Sequence, residues 1–377
     1  MKSIRLFLLT ISLALFFSPG IHAKIPQEIY QEQYKLSGAE KLKEYIPPES
    51  SQTLKDIGIK NGDWQELLNL SPQKVFTNIF KIIQNKFSAP LKAFSPLIAI
   101  MIICSLVQGV KPGLNNSGIT QILNSVCTLS MCVCIVGPIV NFINSSSLII
   151  GLVSNFTLCF VPIMTSILVA TGRTLCATSY HTLVIFAAEI ISYFAKELIL
   201  PFMSTLLGIS LVSSISSDLK LEYLCTYANK VVKSILEFAA SVFTSILTLQ
   251  NLVSSSADSI GANALKLALN GCVPIVGGMV SDALGTVKGC LDLLKSGVGT
   301  FGIIAALVMF LPVIIECILW IFFLNLSRCI GNVLELKEIS CLVKSVAQVM
   351  SVMMAILIFS LVILIVSSGI VLVLGGK

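Results

Sequence analysis

The stretch from Val349 to Leu374 constrains this chain most. It holds no charged residue, and nearly every side chain in it is Val, Ile, Leu, Met, Ala, Phe or Ser. About 20 apolar residues suffice to cross a bilayer. Lipid offers no partner to backbone N–H and C=O groups, so such a stretch has to close its hydrogen bonds internally, as a helix. The pattern recurs. Phe94–Val110, Ile119–Val140 and Leu148–Ala170 read as three more spans, and Val298–Leu326 as a fifth, kinked at Pro312. Thr182–Val212 and Glu237–Val253 are apolar but carry charges, so their crossing stays open. The expectation is an all-α, polytopic integral membrane protein with about five to seven spans. Composition agrees: 12% of residues are charged, where soluble domains carry roughly 25%. The net charge of +6 has no Lys/Arg block behind it, which argues against a nucleic-acid partner.

The other end reads as a secretory signal over residues 1–23. Lys2 and Arg5 form the basic start, Leu6 to Phe17 the apolar core, and Ile21-His22-Ala23 a cleavage site. Residues 24–93 follow as a polar, extracytoplasmic helical region, and residues 94–377 as the membrane domain. In the polar region, Ser37-Gly-Ala-Glu40 and Asp63-Trp-Gln-Glu66 have the form of capping boxes. Ser71-Pro72 places a cap before a helix-starting proline. The helix it opens repeats Val75, Phe76, Ile79, Phe80, Ile83 and Phe87 on one face. That face either lies on the membrane surface or packs on the rest of the tail. Lys111 and Arg173 fall in the first and third short loops, as the excess of cytoplasmic positive charge requires if the tail is external.

Chemistry-bearing constellations are scarce. The chain has two histidines, His22 and His181, and neither a zinc-protease helix nor a phosphate loop. A serine paired with His181 would be an unspecific match. Most of the twelve cysteines sit in apolar runs without Cys-x-x-Cys spacing, where thiols pack as small hydrophobes. No catalytic, metal-binding or cofactor-binding residue is assigned.

Charges inside apolar stretches carry more information, because a charge at mid-bilayer costs about 2.5–3.5 kcal/mol on insertion scales. Glu189, Tyr193, Lys196 and Glu197 share a helical face. They face protein or water, or else Lys196-Glu197 marks a junction of two short helices ahead of Pro201. Glu316, four residues after Pro312, needs a partner or an aqueous cavity.

The most unusual stretch lies at 271–297, beginning GCVPIVGGMVSDALGTVKGC. Gly277, Ser281, Gly285 and Gly289 recur every fourth residue, the spacing that lets helix backbones approach closely. Each glycine weakens the helix by about 1 kcal/mol against alanine. Asp282, Lys288, Asp292 and Lys295 then exclude a lipid-facing span. The segment is a helix held against other helices, lining a polar or wet space, or an interfacial hairpin. Lys288, Asp292 and Lys295 have the spacing to pair along one face.

With its continuation to Ile303, this stretch resembles the central signature of the stage III sporulation protein AE family: Pro-x-Val-Gly-Gly, then Ser-Asp-Ala, Thr-Val and Leu-Leu-Lys-x-x-Val-Gly. The layout is similar as well, from signal to C-terminal span. The resemblance implies a permease-like membrane component of the channel, or feeding tube, between mother cell and forespore. It implies a location in the outer forespore membrane. It also implies as partners the other stage III A operon sporulation proteins and the forespore stage II Q protein, besides the lipid bilayer. A homo-oligomer is compatible with it. A non-conducting scaffold for the channel rings is the alternative, and an intramembrane enzyme a second one.

Overall fold

The structure is a computed structural model that describes residues 27–59, 66–67, 70–109, 117–215, 222–272 and 277–373. The signal segment 1–23 and most of the box at Asp63–Glu66 lie outside the described residues.

Among the described residues every regular element is helical. The tail forms α1 (Gln27–Leu36), a 3₁₀ turn (Ala39–Tyr45) and α2 (Pro48–Ile57). In the box expected at Ser37 the serine has two roles. Ser37 donates to the Tyr34 carbonyl and Gly38 takes φ 75°, which ends α1, while the same hydroxyl accepts from Ala39 N–H at 3.3 Å, at the start of the 3₁₀ turn. Tyr30, Leu42, Leu54 and Ile57 are buried, and this small core rests on the membrane domain.

The helix opened by Ser71-Pro72 leads into the first span without a break. It is α3, Pro72–Gly109, one helix of 38 residues with Pro90 and Pro96 inside it. Its amphipathic start therefore continues directly into the first span. Lys81 meets Asp56 of α2 at 3.9 Å, while Phe76 and Phe80 remain exposed.

The next helix differs from expectation. Two spans and a loop around 141–147 were expected; the structure has a single helix, α4, from Ser117 to Ala170. The polar residues read as a loop are absorbed by the helix itself. Ser145 and Ser146 donate to the carbonyls of Asn141 and Phe142, one turn back, which satisfies a hydroxyl without breaking the helix. At 1.5 Å per residue, the 46-residue apolar part Ser125–Ala170 is about 69 Å long. That is more than twice a hydrocarbon layer of ~30 Å. It also sets Ser117 and the turn at Arg173 at opposite ends of one long helix.

Beyond Arg173 come α5 (Thr174–Tyr193), a π turn (Phe194–Leu198) and α6 (Ile199–Ile215). The wide turn has a local cause. Pro201 cannot donate to the Glu197 carbonyl and its ring crowds it, and a single π turn relieves that conflict. The chain closes with α7 (Glu222–Cys272), α8 (Gly277–Val333) and α9 (Lys337–Val373). Among the described residues, six helices are long and apolar enough to cross a membrane: those containing Pro72–Gly109, Ser125–Ala170, Thr174–Tyr193, Thr226–Asp258, Val287–Val333 and Lys337–Gly369.

α8 is the central element and packs on α3, α4 and α9. Its register is fixed by tight contacts. A β-carbon on Gly302 would stand 2.6 Å from the Phe160 ring of α4, and one on Gly299 2.8 Å from Leu372 of α9. The Cys317 thiol reaches the Met350 carbonyl at 3.6 Å. α4 and α9 thus run antiparallel to α8. α3 runs parallel to it, with Phe87 and Phe94 both on Phe323 at 5.3 and 5.0 Å.

Candidate functional site

Among the described residues, two polar centres and an α7–α9 seam interrupt the apolar bundle; in the seam Lys233 donates to the Ser351 hydroxyl and Asn229 to the Gln348 carbonyl. The first lies where the α4–α5 turn meets α7 and α8. Gly172 takes φ 81°, and the turn is closed by Arg173 N–H donating to the Leu168 carbonyl at 3.1 Å. A helix start leaves its first N–H groups without intrahelical partners. Here the cap comes from another helix. Asp258 of α7 accepts from Leu175 N–H at 3.0 Å and from Cys176 N–H at 2.9 Å. A carboxylate at this end also opposes the positive pole of the helix. The same seam continues inward: the Cys176 thiol faces the Asn251 carbonyl, and Ser179 and Ser254 share a hydrogen bond of 3.1 Å.

Lys295 of α8 completes this centre. Its side chain is fully buried, yet its only ionic contact among the described residues is Asp292, at 3.5 Å. Its Nζ has no hydrogen-bond acceptor, and neither does the buried Nη1 of Arg173, which acts on it electrostatically. A buried ammonium held by one long ion pair is costly.

The second centre resolves the question posed by Glu316. Its carboxylate meets Lys86 of α3 at 3.0 Å. With side chains 35% and 16% exposed, the pair is partly shielded from water, and the attraction is stronger than at a free surface.

The other sequence candidates distribute as follows. Of the expected triple, Lys295 pairs with Asp292, while Lys288 is exposed and joins no ion pair among the described residues. Gly277, Ser281, Asp282 and Gly285 lie within α8, but their surroundings fall outside the described residues. At Gly289 an added β-carbon would meet nothing within 4 Å. The close approach that glycine permits occurs later in the same helix, at Gly299 and Gly302. Glu189, Tyr193 and Glu197 are exposed, and the side chain of Lys196 lies outside the described residues. Because the π turn starts at Phe194, Glu197 is rotated away from the uniform face that 3.6-residue spacing assigns to it.

Several members were missed by sequence reading. Lys86 was counted with an amphipathic surface helix, because nothing local marks it as a partner for a residue 230 positions away. Asp258, Cys176 and Asn251 belong to helices that meet only in three dimensions. Gly299 and Gly302 did carry a signal, two glycines bracketing Thr-Phe inside an apolar run. The four-residue strip drew attention upstream instead.

The family model for stage III sporulation protein AE matches residues 52–375. A curated relative, stage III sporulation protein AE of Bacillus subtilis (strain 168), is 21% identical over 248 residues. That alignment covers 65% of this chain and 62% of the relative. No solved structure matches the chain. With the family model matched over most of its length, through the Lys295 centre and both polar seams, the chain belongs to the stage III sporulation protein AE family.

Proposed function

We propose that this protein is a membrane-embedded, permease-like, non-enzymatic component of the channel that joins mother cell and forespore. It acts from the outer forespore membrane with the other stage III A operon proteins and the forespore stage II Q protein. The sporulation role follows from the family. The observation that carries the permease-like part is Lys295: a fully buried cation, with Asp292, at the meeting point of four helices of an apolar bundle. Ionisable groups in such positions are expensive to keep and commonly mark a path for polar solutes. A scaffold would be served as well by an apolar residue there, since replacing a buried ion pair with well-packed hydrophobic groups is often neutral or stabilising.

The test is a strain whose only copy is Lys295→Met, beside Asp292→Asn, scored for heat-resistant spores at matched membrane levels of the protein. Loss of spores at normal level supports the permease-like reading. Full spore yield from both variants overturns it and leaves the scaffold.

A further inference from the structure

Among the described residues, the Lys295 centre has donors that nothing answers. Lys295 Nζ and Arg173 Nη1 are both buried without a hydrogen-bond acceptor. An ammonium and a guanidinium can only donate. The two carboxylates nearby leave them unmet. Asp258 places one oxygen on Leu175 N–H and the other on Cys176 N–H. Asp292 is 31% exposed and stands 3.5 Å from Lys295, outside the roughly 2.7–2.9 Å of a charge-assisted hydrogen bond.

The two cations belong to one site. Lys295 and Arg173 act on each other electrostatically, and both act on the Cys176 thiol in the first turn of α5. The exposed Lys288 adds to the field at Lys295. The first turn of α5 adds the positive pole of a 20-residue helix. Like charges repel, most strongly where water is excluded. An anion between the two cations turns that repulsion into attraction and gives both donors an acceptor.

The donor set favours an oxyanion. The planar fork of a guanidinium matches two oxygens of one group, and an ammonium serves as a point charge beside it. A phosphate group keeps further oxygens for the ammonium after the fork has taken two. Access is through the α4–α5 turn. Arg173 is half-buried and Thr174 and Leu175 are exposed, whereas the Lys295 side chain lies fully inside. The centre also sits at helix ends. α4 stops at Ala170, α5 starts at Thr174, and α9 stops at Val373, whose neighbour Leu372 packs on Gly299, one turn from Lys295. Basic pockets between spans at such ends also take lipid headgroups.

We propose that Arg173 and Lys295 together bind a phosphate group, carried by a soluble ion or by an anionic lipid headgroup. The proposal rests on the permease-like reading of this centre and names the chemical class that it takes.

The experiment uses the full chain purified in a neutral detergent. Native mass spectrometry and the rise in Tm read binding at constant ionic strength. One arm offers inorganic phosphate and the other phosphatidylglycerol; chloride and phosphatidylcholine are the controls. At least one arm should saturate at one ligand per chain. Phosphate binding assigns the soluble ion, and binding of phosphatidylglycerol alone assigns the headgroup. Arg173→Gln should weaken binding about tenfold or more, as expected for the loss of a hydrogen bond to a charged group. Lys295→Met should abolish it. Arg173→Lys should restore only part, because an ammonium lacks the fork. Lys74→Gln, at an exposed position of α3, should change nothing. Arg173 is half-buried, so its variants keep the test decisive where Lys295→Met fails to fold. The proposal is overturned by binding in neither arm, by equal binding of chloride or phosphatidylcholine, or by wild-type affinity in Arg173→Gln. The spore test separates the two readings. Spore loss in Lys295→Met with no binding by the wild type overturns this proposal alone. Full spore yield with intact wild-type binding overturns the permease-like reading alone.

Discussion

At the residue scale, two glycines of α8 separate steric necessity from mere occurrence. Gly302 has no room for a methyl group: a β-carbon would fall 2.6 Å from two atoms of the Phe160 ring. Phe160 is itself fully buried and cannot swing aside. Gly302→Ala should therefore cost about 1–3 kcal/mol, the range of overpacking. Gly289→Ala, with open space around it, should be neutral or gain a few tenths from helix propensity. Thermal unfolding of the two variants in detergent checks the ordering, and Phe160→Leu should partly rescue Gly302→Ala. The Lys86–Glu316 pair makes a second residue-scale test. Glu316→Leu alone leaves a partly buried ammonium without its carboxylate, and should cost about 1–3 kcal/mol once the one-third exposure of Lys86 is allowed for. The double variant Lys86→Met/Glu316→Leu should recover part of that loss, which a double-mutant cycle on Tm reads directly.

At the element scale, α4 offers the sharpest contrast between expectation and structure. Spin labels at Leu129 and Val169, both exposed, are 40 residues apart. On one continuous helix they stand about 60 Å from each other; a two-span hairpin would bring them to less than half that. A dipolar distance measurement in a reconstituted bilayer decides between them. The α5 cap is testable as well. Asp258→Ala leaves the N–H groups of Leu175 and Cys176 without their acceptor, so the loss should be about 0.5–2 kcal/mol, as for other N-caps. Thermal unfolding in detergent checks the size of the loss.

At the scale of the whole molecule, the tail sets the orientation. Its charged helices pack on α3, α4 and α8 and cannot enter hydrocarbon, so they fix one side of the membrane. A reporter active only outside the cytoplasm, fused after Leu70, should be active; activity of a cytoplasmic reporter there would invert the assignment.

Much of this molecule was legible in the order of its residues. Long apolar runs without charge leave a chain no choice but helices in a bilayer, because burying the backbone there demands internal hydrogen bonds. The Ser71-Pro72 helix start and the polar tail were legible for the same local reasons. So was the need of Glu316 for a partner, since an isolated charge is costly wherever it is buried. What the sequence could not supply was which groups meet. Whether the serines near 145 turn the chain or bond back into the helix depends on which state the surrounding helices stabilise. That Lys86 answers Glu316, that Asp258 caps a helix begun 84 residues earlier, and that Gly302 rather than Gly289 touches its neighbour are all consequences of register between helices. Register comes from the fit of many side chains at once, and close packing has no local signature.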